Sequence, residues 1–308
     1  MPRPLSRLIS AIGLALVVAA AAAQAPKPPA AATLLITAEP RSAQPASALN
    51  ADMIQVFQSG SAVRVLGLKP FASGQGLQLM ILIDDAANPV VATQFSELRS
   101  FIEGLPSGAE AGVGYMRSGD VQVAAPISPD LARAAAALHQ PLGQLGLSPS
   151  PYEAVARLAK SWPSKAPAAR REILMISPGI ELVGQPGPAD PIMANAIAAL
   201  QQAGIPVFAL YTPAAGHWAH DYWRDFEGQS QLSQLADETG GESYMLGQGL
   251  QMLAGPLKDI RTKLDHQYAL TFEPRPASKP GLAPIRVRTT LRDVDLLAPD
   301  QAYITTTQ

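Results

Sequence analysis

The chain has 308 residues, 47% hydrophobic and 16% charged, a balance that can bury a sizeable core and excludes a disordered or low-complexity chain. Its 23 basic and 25 acidic residues are spread along the sequence and leave a formal charge of −2, so no basic face marks a binder of nucleic acid or of an anionic membrane. The absence of cysteine excludes disulfide stapling, thiolate metal sites and a lipid-modified cysteine after a leader.

Arg3 and Arg7 precede an apolar run at 8–18 and then alanines at 19–23. Charged, apolar and small residues in that order predict a secretory signal over 1–23, cleaved after Ala23; cutting after Ala25 would put Pro26 first. The apolar part is shorter than the roughly 20 residues that span a bilayer, and no later run is long and charge-free enough. The expected product is periplasmic or secreted, with no stable membrane anchor after cleavage. Residues 24–32, with Pro26, Pro28 and Pro29, read as a stiff linker.

Residues 33–75 form an N-terminal β segment without helices. Its short β-prone runs lie at 33–38, 53–57 and 62–68, with a hairpin turn at 58–61. From residue 76 strands alternate with helices to about residue 266, the pattern of a mostly parallel sheet covered on both faces. Helix starts are legible at Ser128-Pro129-Asp130, at Asp190-Pro191, and at Ser150-Pro151-Tyr152-Glu153, which carries a capping-box Glu. The helix from Pro191 stops at Gly204 and feeds a buried strand at 206–211. Another helix ends at Gly240-Gly241 before a short strand at 243–246. In a last helix Leu250, Leu253, Leu257, Ile260 and Leu264 share a face, and Gly255-Pro256 is expected to kink or divide it. Residues 267–308 form a C-terminal β segment with strands at 268–272, 285–291 and 302–305 and a proline-rich loop at 274–284. Pairing of this segment with 33–75 would bury apolar faces that neither covers alone.

The strand at 79–84, the central strand at 173–179, the GIPVFALY run at 204–211 and Leu235-Ala236-Asp237-Glu238-Thr239-Gly240-Gly241 occur in this order. In that order they resemble the von Willebrand factor type A (VWA) superfamily, and more closely its secreted acidobacterial VWA-related subgroup; the β flanks match that subgroup too. The resemblance implies a Rossmann-like VWA domain with a mostly parallel central sheet and helices on both faces, plus a small β unit from the two flanks. It also implies a ligand edge at the C-terminal ends of the strands, where such domains hold Mg²⁺ with an Asp-x-Ser-x-Ser loop, a Thr and a second Asp.

At those positions this chain has Asp84, Ala86 and Asn88, then Pro149 flanked by Ser148 and Ser150, then Ser177-Pro178-Gly179. Ala86, Pro149 and Pro178 bring no ligand oxygen, and a hard cation depends on each one. The expectation is a degenerate site at Asp84, Asp85, Asn88, Ser148 and Ser177, with no bound metal and no cofactor. The alternative is a metal-dependent adhesin or hydrolase using Asp84, Asp85 and Asn88 in another geometry. Consecutive residues leaving a strand point apart, so the acidic pair also reads as a capping or loop-ordering element.

Residues 217–226 hold two of the four histidines and two of the three tryptophans. Leaving on the same edge as Asp84, this segment can overhang the degenerate site, with Trp218, Tyr222, Trp223 and Arg224 as a partner-contact surface. The spacing of Trp218, Tyr222 and Phe226 also suits a helical stripe packed on the domain, and His217, His220 and Asp221 make a weak zinc pattern. His139 and His266 are expected at helix ends. With no Gly-x-Ser-x-Gly elbow, His-Glu-x-x-His, phosphate loop or cysteine nucleophile, the sequence points away from an enzyme. The expected role is protein-protein interaction with an envelope or extracellular partner.

Overall fold

The computed structural model describes residues 31–41, 49–144, 146, 149–168, 170–184, 190–216, 222–245 and 253–305. The predicted leader, Ser148, His217, Trp218, His220, Asp221, Leu246 and Leu250 lie outside the described residues.

Four strands come first: β1 (Ala32–Pro40), β2 (Ile54–Gln58), β3 (Ser61–Val63) and β4 (Val65–Pro70). A 3-10 turn at Ala51–Met53 interrupts a segment expected to be helix-free, and β1 begins at Ala32, within the expected linker. The alternating part then runs through β5 (Leu77–Asp84), α1 (Phe95–Glu103), β6 (Glu110–Arg117), β7 (Asp120–Ser128), α2 (Leu131–Ala136), α3 (Pro151–Lys160), β8 (Arg170–Ser177), α4 (Pro191–Ala203), β9 (Val207–Tyr211), α5 (Tyr222–Thr239), β10 (Glu242–Tyr244) and α6 (Ala254–Asp265). The chain closes with β11 (Gln267–Phe272), β12 (Gly281–Thr289), β13 (Val294–Leu297) and β14 (Gln301–Ile304).

Every residue of β5 is buried, so both faces of this strand need cover. Alternation divides its side chains: Leu77, Leu79, Ile81 and Ile83 pack with α1, α2 and α6, while Met80 and Leu82 pack with α3, α4 and α5. The six-stranded sheet has the order β10-β9-β8-β5-β6-β7, parallel except for β7, which pairs antiparallel with β6. From β7 to β10 this is the doubly wound order 3-2-1-4-5-6, and its switch point lies between β5 and β8. A tight turn with Ser118 and Gly119 at φ 54° and 68° makes the β6–β7 hairpin, which the motif reading did not separate from the parallel strands.

The two flanks pair with each other. Antiparallel bonding gives one sheet of order β13-β1-β11-β4 and a second of order β14-β12-β2-β3. Their inner faces share a core of Leu34, Ile36, Ile54, Val56, Leu270, Phe272 and Ile285, so the β unit of the two flanks is a sandwich. β13 was not foreseen. Pro284, placed in the loop by its residue type, lies within β12 where the pairing with β2 ends; its carbonyl accepts from Ser59 N, and proline has no N–H to return that bond.

Local chemistry explains the remaining differences. Ser128 ends β7, and Asp130 caps α2 by accepting from Arg133 N at 3.0 Å. Ser150 caps α3, but the Glu153 carboxylate lies 3.9 Å from Arg157 instead of closing a capping box. Gly255 and Pro256 sit in the first turn of α6; there a proline removes only an N–H that has no partner within the helix, so no kink follows. Gly204 at φ 64° ends α4 as expected.

Buried charge stitches the sandwich to the main sheet. Lys263 of α6 is 3% exposed and reaches Glu39 at 2.8 Å, Glu242 at 2.7 Å and Asp259 at 2.5 Å. Arg170 donates to Leu264 O and Gln267 Oε1, and Gln267 Nε2 donates to Glu172.

Candidate functional site

The switch point of an open α/β sheet leaves a crevice beyond the C-terminal ends of its strands. β5 delivers Asp84 there and β8 delivers Ser177, both buried. The two meet directly: Ser177 Oγ donates to Asp84 Oδ2 at 2.6 Å, and Asp84 Oδ1 accepts from Ala86 N at 2.9 Å. Ser177 Oγ also accepts from Gly179 N at 2.9 Å. Gly179 has φ 67°, and a Cβ there would strike the backbone of Gly228 in α5, so glycine on both sides lets the helix press onto the loop.

Asp85 points elsewhere. It is fully buried, with Oδ2 held by Arg117 Nε at 2.8 Å and Nη2 at 2.7 Å, while Oδ1 accepts from Leu142 N at 3.2 Å. Its carbonyl accepts from Gln144 N at 3.1 Å, so one aspartate ties the loop after α2 to the end of β5. Asn88 caps the 3-10 turn Pro89–Gln94 through Val90 N at 3.1 Å, and its own N–H donates to Pro213 O. The sequence-predicted residues that are described therefore serve separate local tasks, and among their side chains the bond is between Asp84 and Ser177.

Above Asp84, Ala86 and Ala214 are wholly buried and pack with Ile180 and Leu182. Ser150 Oγ donates to Glu181 at 2.5 Å, and Tyr152 OH donates to Gly179 O at 2.8 Å. Burial first, then Glu181, Asp84, Glu227 and Asp190, push the Tyr152 hydroxyl well above its ordinary range. Burial likewise raises the Tyr211 hydroxyl to about 12. Arg117, Tyr152, Glu181 and Gly228 were missed because nothing local in the sequence marks a partner 27 or more positions away.

A hard divalent ion needs several oxygens converging in near-octahedral order. Asp84, Asp85 and Asn88 direct their oxygens to internal donors, and a methyl-lined cluster stands at Ala86, so these residues do not fit such an ion in the family's arrangement. Among the described residues, the acids that converge within 4.8 Å are Glu39, Glu242 and Asp259, and Lys263 already occupies their midst. His139 stacks on Tyr115 with ring centroids 3.7 Å apart, and His266 caps α6 with Nδ1 2.7 Å from Thr262 O.

The start of α5 overhangs this edge. Tyr222, Trp223 and Phe226 are 64%, 76% and 61% exposed, with Tyr222 and Trp223 in an edge-to-face pair. The packed-stripe expectation therefore fails for Tyr222 and Phe226: the buried stripe of α5 begins at Gly228 and continues through Gln231, Leu232, Leu235 and Ala236. Arg224 is half-buried. Val90 and Leu142, 42% and 45% exposed, add apolar surface from two other loops of the same edge.

The doubly wound order, the antiparallel edge strand and the Asp84–Ser177 pair at the switch point define a VWA-type α/β fold. No protein-family model and no curated protein matches the chain. Among solved structures, it is similar to an aerotolerance-related membrane protein from Bacteroides fragilis, at 17% identity and TM-score 0.44 over 61% of this chain and 98% of that one. BatB from Bacteroides thetaiotaomicron aligns at 18% identity and TM-score 0.44, over 61% and 97%. A von Willebrand factor type A protein from Catenulispora acidiphila aligns at 13% and 0.44, over 83% and 73%. These likenesses are too distant to carry function, and the fold rests on the chain's own topology. Among the described residues no helix is long and apolar enough to cross a membrane.

Proposed function

We propose that this protein is exported by its N-terminal signal and acts at the cell envelope as a non-enzymatic, metal-independent VWA-like interaction module. The observation that carries this reading is the exposed Tyr222, Trp223 and Phe226 at the sheet's C-terminal edge, above a switch point whose polar groups are bonded internally. Aromatic side chains concentrated at one exposed spot are what protein interfaces use as anchors, and among the described residues the buried cluster of Ala86, Ile180 and Ala214 beside the switch point is apolar. Fold alone does not assign function, so the test is made on the surface. Replacing Tyr222, Trp223 and Phe226 together by Ala leaves thermal unfolding unchanged and abolishes in-cell crosslinking to an envelope protein. Retention of the same crosslinked partner by the triple variant rules the surface out.

A further inference from the structure

The edge beneath the aromatic turn is acidic. Segments 84–90, 178–184, 212–216 and 222–229 with residue 190 hold Asp84, Asp85, Glu181, Asp190, Asp225 and Glu227, against Arg224 alone. Arg117 reaches in from β6 and is committed to Asp85. Four of these carboxylates act together on the Tyr152 hydroxyl, which hydrogen-bonds Gly179, the residue on which Gly228 of α5 rests. Asp190 is 2% exposed and its Oδ2 has no hydrogen-bond partner, so a buried carboxylate oxygen is left without a donor.

We infer that the aromatic turn of α5 receives a cationic segment of its partner, with Lys or Arg side chains interleaved with apolar ones. The inference rests on the interaction reading above and adds the chemistry of the occupant. Exposed aromatic faces bind ammonium and guanidinium groups through their quadrupole, most strongly at Trp, and the low-dielectric acidic floor favours positive charge and disfavours an anionic partner. An anionic segment would meet the same carboxylates as repulsion.

The test uses the full-length protein and three labelled synthetic peptides of equal length, alternating Leu with Lys, with Glu or with Ser, followed by fluorescence anisotropy. The Lys peptide binds at least tenfold more tightly than the Glu and Ser peptides in dilute salt. Raising the salt several-fold narrows the difference, and Trp223→Ala, at a 76%-exposed position, weakens the Lys peptide about tenfold. Trp223-dependent binding of the Glu or Ser peptide at equal strength overturns the charge assignment while leaving the interaction surface standing. Binding of the Lys peptide that ignores Trp223→Ala, or binding by none of the three, overturns the inference; the crosslinking experiment then decides the interaction reading separately.

Discussion

Removing Arg117 isolates a buried charge. The Asp85 carboxylate has no solvent exposure and two of its three side-chain bonds come from Arg117; the third, from Leu142 N, is long at 3.2 Å. Breaking a buried pair from one side costs about 3–5 kcal/mol, because the remaining charge loses its compensation. The Arg117 side chain is itself 29% exposed, so water can follow it out, and Arg117→Ala is expected near the lower end of that range. Asp85→Asn keeps an acceptor for Leu142 N and lets Arg117 turn to water, a loss of about 1–2 kcal/mol. The double variant Arg117→Met with Asp85→Asn is milder than Arg117→Ala alone, since no buried charge is orphaned. Urea unfolding at neutral pH measures the three, and amide exchange at Leu142 and Gln144 reports loosening of the tied loop. A loss of under about 1 kcal/mol for Arg117→Ala, at the level of an exposed pair, refutes the reasoning.

After EDTA treatment, millimolar Mg²⁺, Mn²⁺ or Ca²⁺ or micromolar Zn²⁺ leaves the melting temperature unchanged; an upward shift that disappears in Asp84→Ala shows a bound ion instead. Gly228→Ala forgoes the usual helical gain of about 1 kcal/mol because its Cβ would meet Pro178 O, so calorimetry is expected to show destabilisation on the order of 1–3 kcal/mol; a stabilised variant contradicts the close contact. Burial raises Glu172 above its ordinary 4.5, with Arg170 and Gln267 opposing. The folded state thus holds this proton more firmly than the unfolded one, and the associated stability is complete below 4.5 and is lost as pH rises through the folded value. Glu172→Gln removes that part of the decline, and urea midpoints that run parallel to the parent across this window dispose of the assignment.

Much of the architecture is legible because it is written in local chemistry. An unbroken apolar strand such as 77–84 can only be buried on both faces, and Ser150, Asp190 and Gly204 punctuate helices by capping and left-handed geometry that depend on neighbours a few positions away. Local chemistry is less decisive where two donors compete, as when Asp130 rather than Ser128 caps α2. Residue types alone also show that Ala86, Pro149 and Pro178 bring no side-chain oxygen to the edge. Tertiary structure decides what the remaining groups do. Asp84 bonds Ser177 across 93 positions and Asp85 pairs with Arg117 across 32, choices made by strand order, since β5 lies between β8 and β6. It likewise turns Tyr222 and Phe226 to solvent: helical spacing defines a face, and the seat of Gly228 on Gly179 together with the packing of Leu232, Leu235 and Ala236 decides which face of α5 is buried.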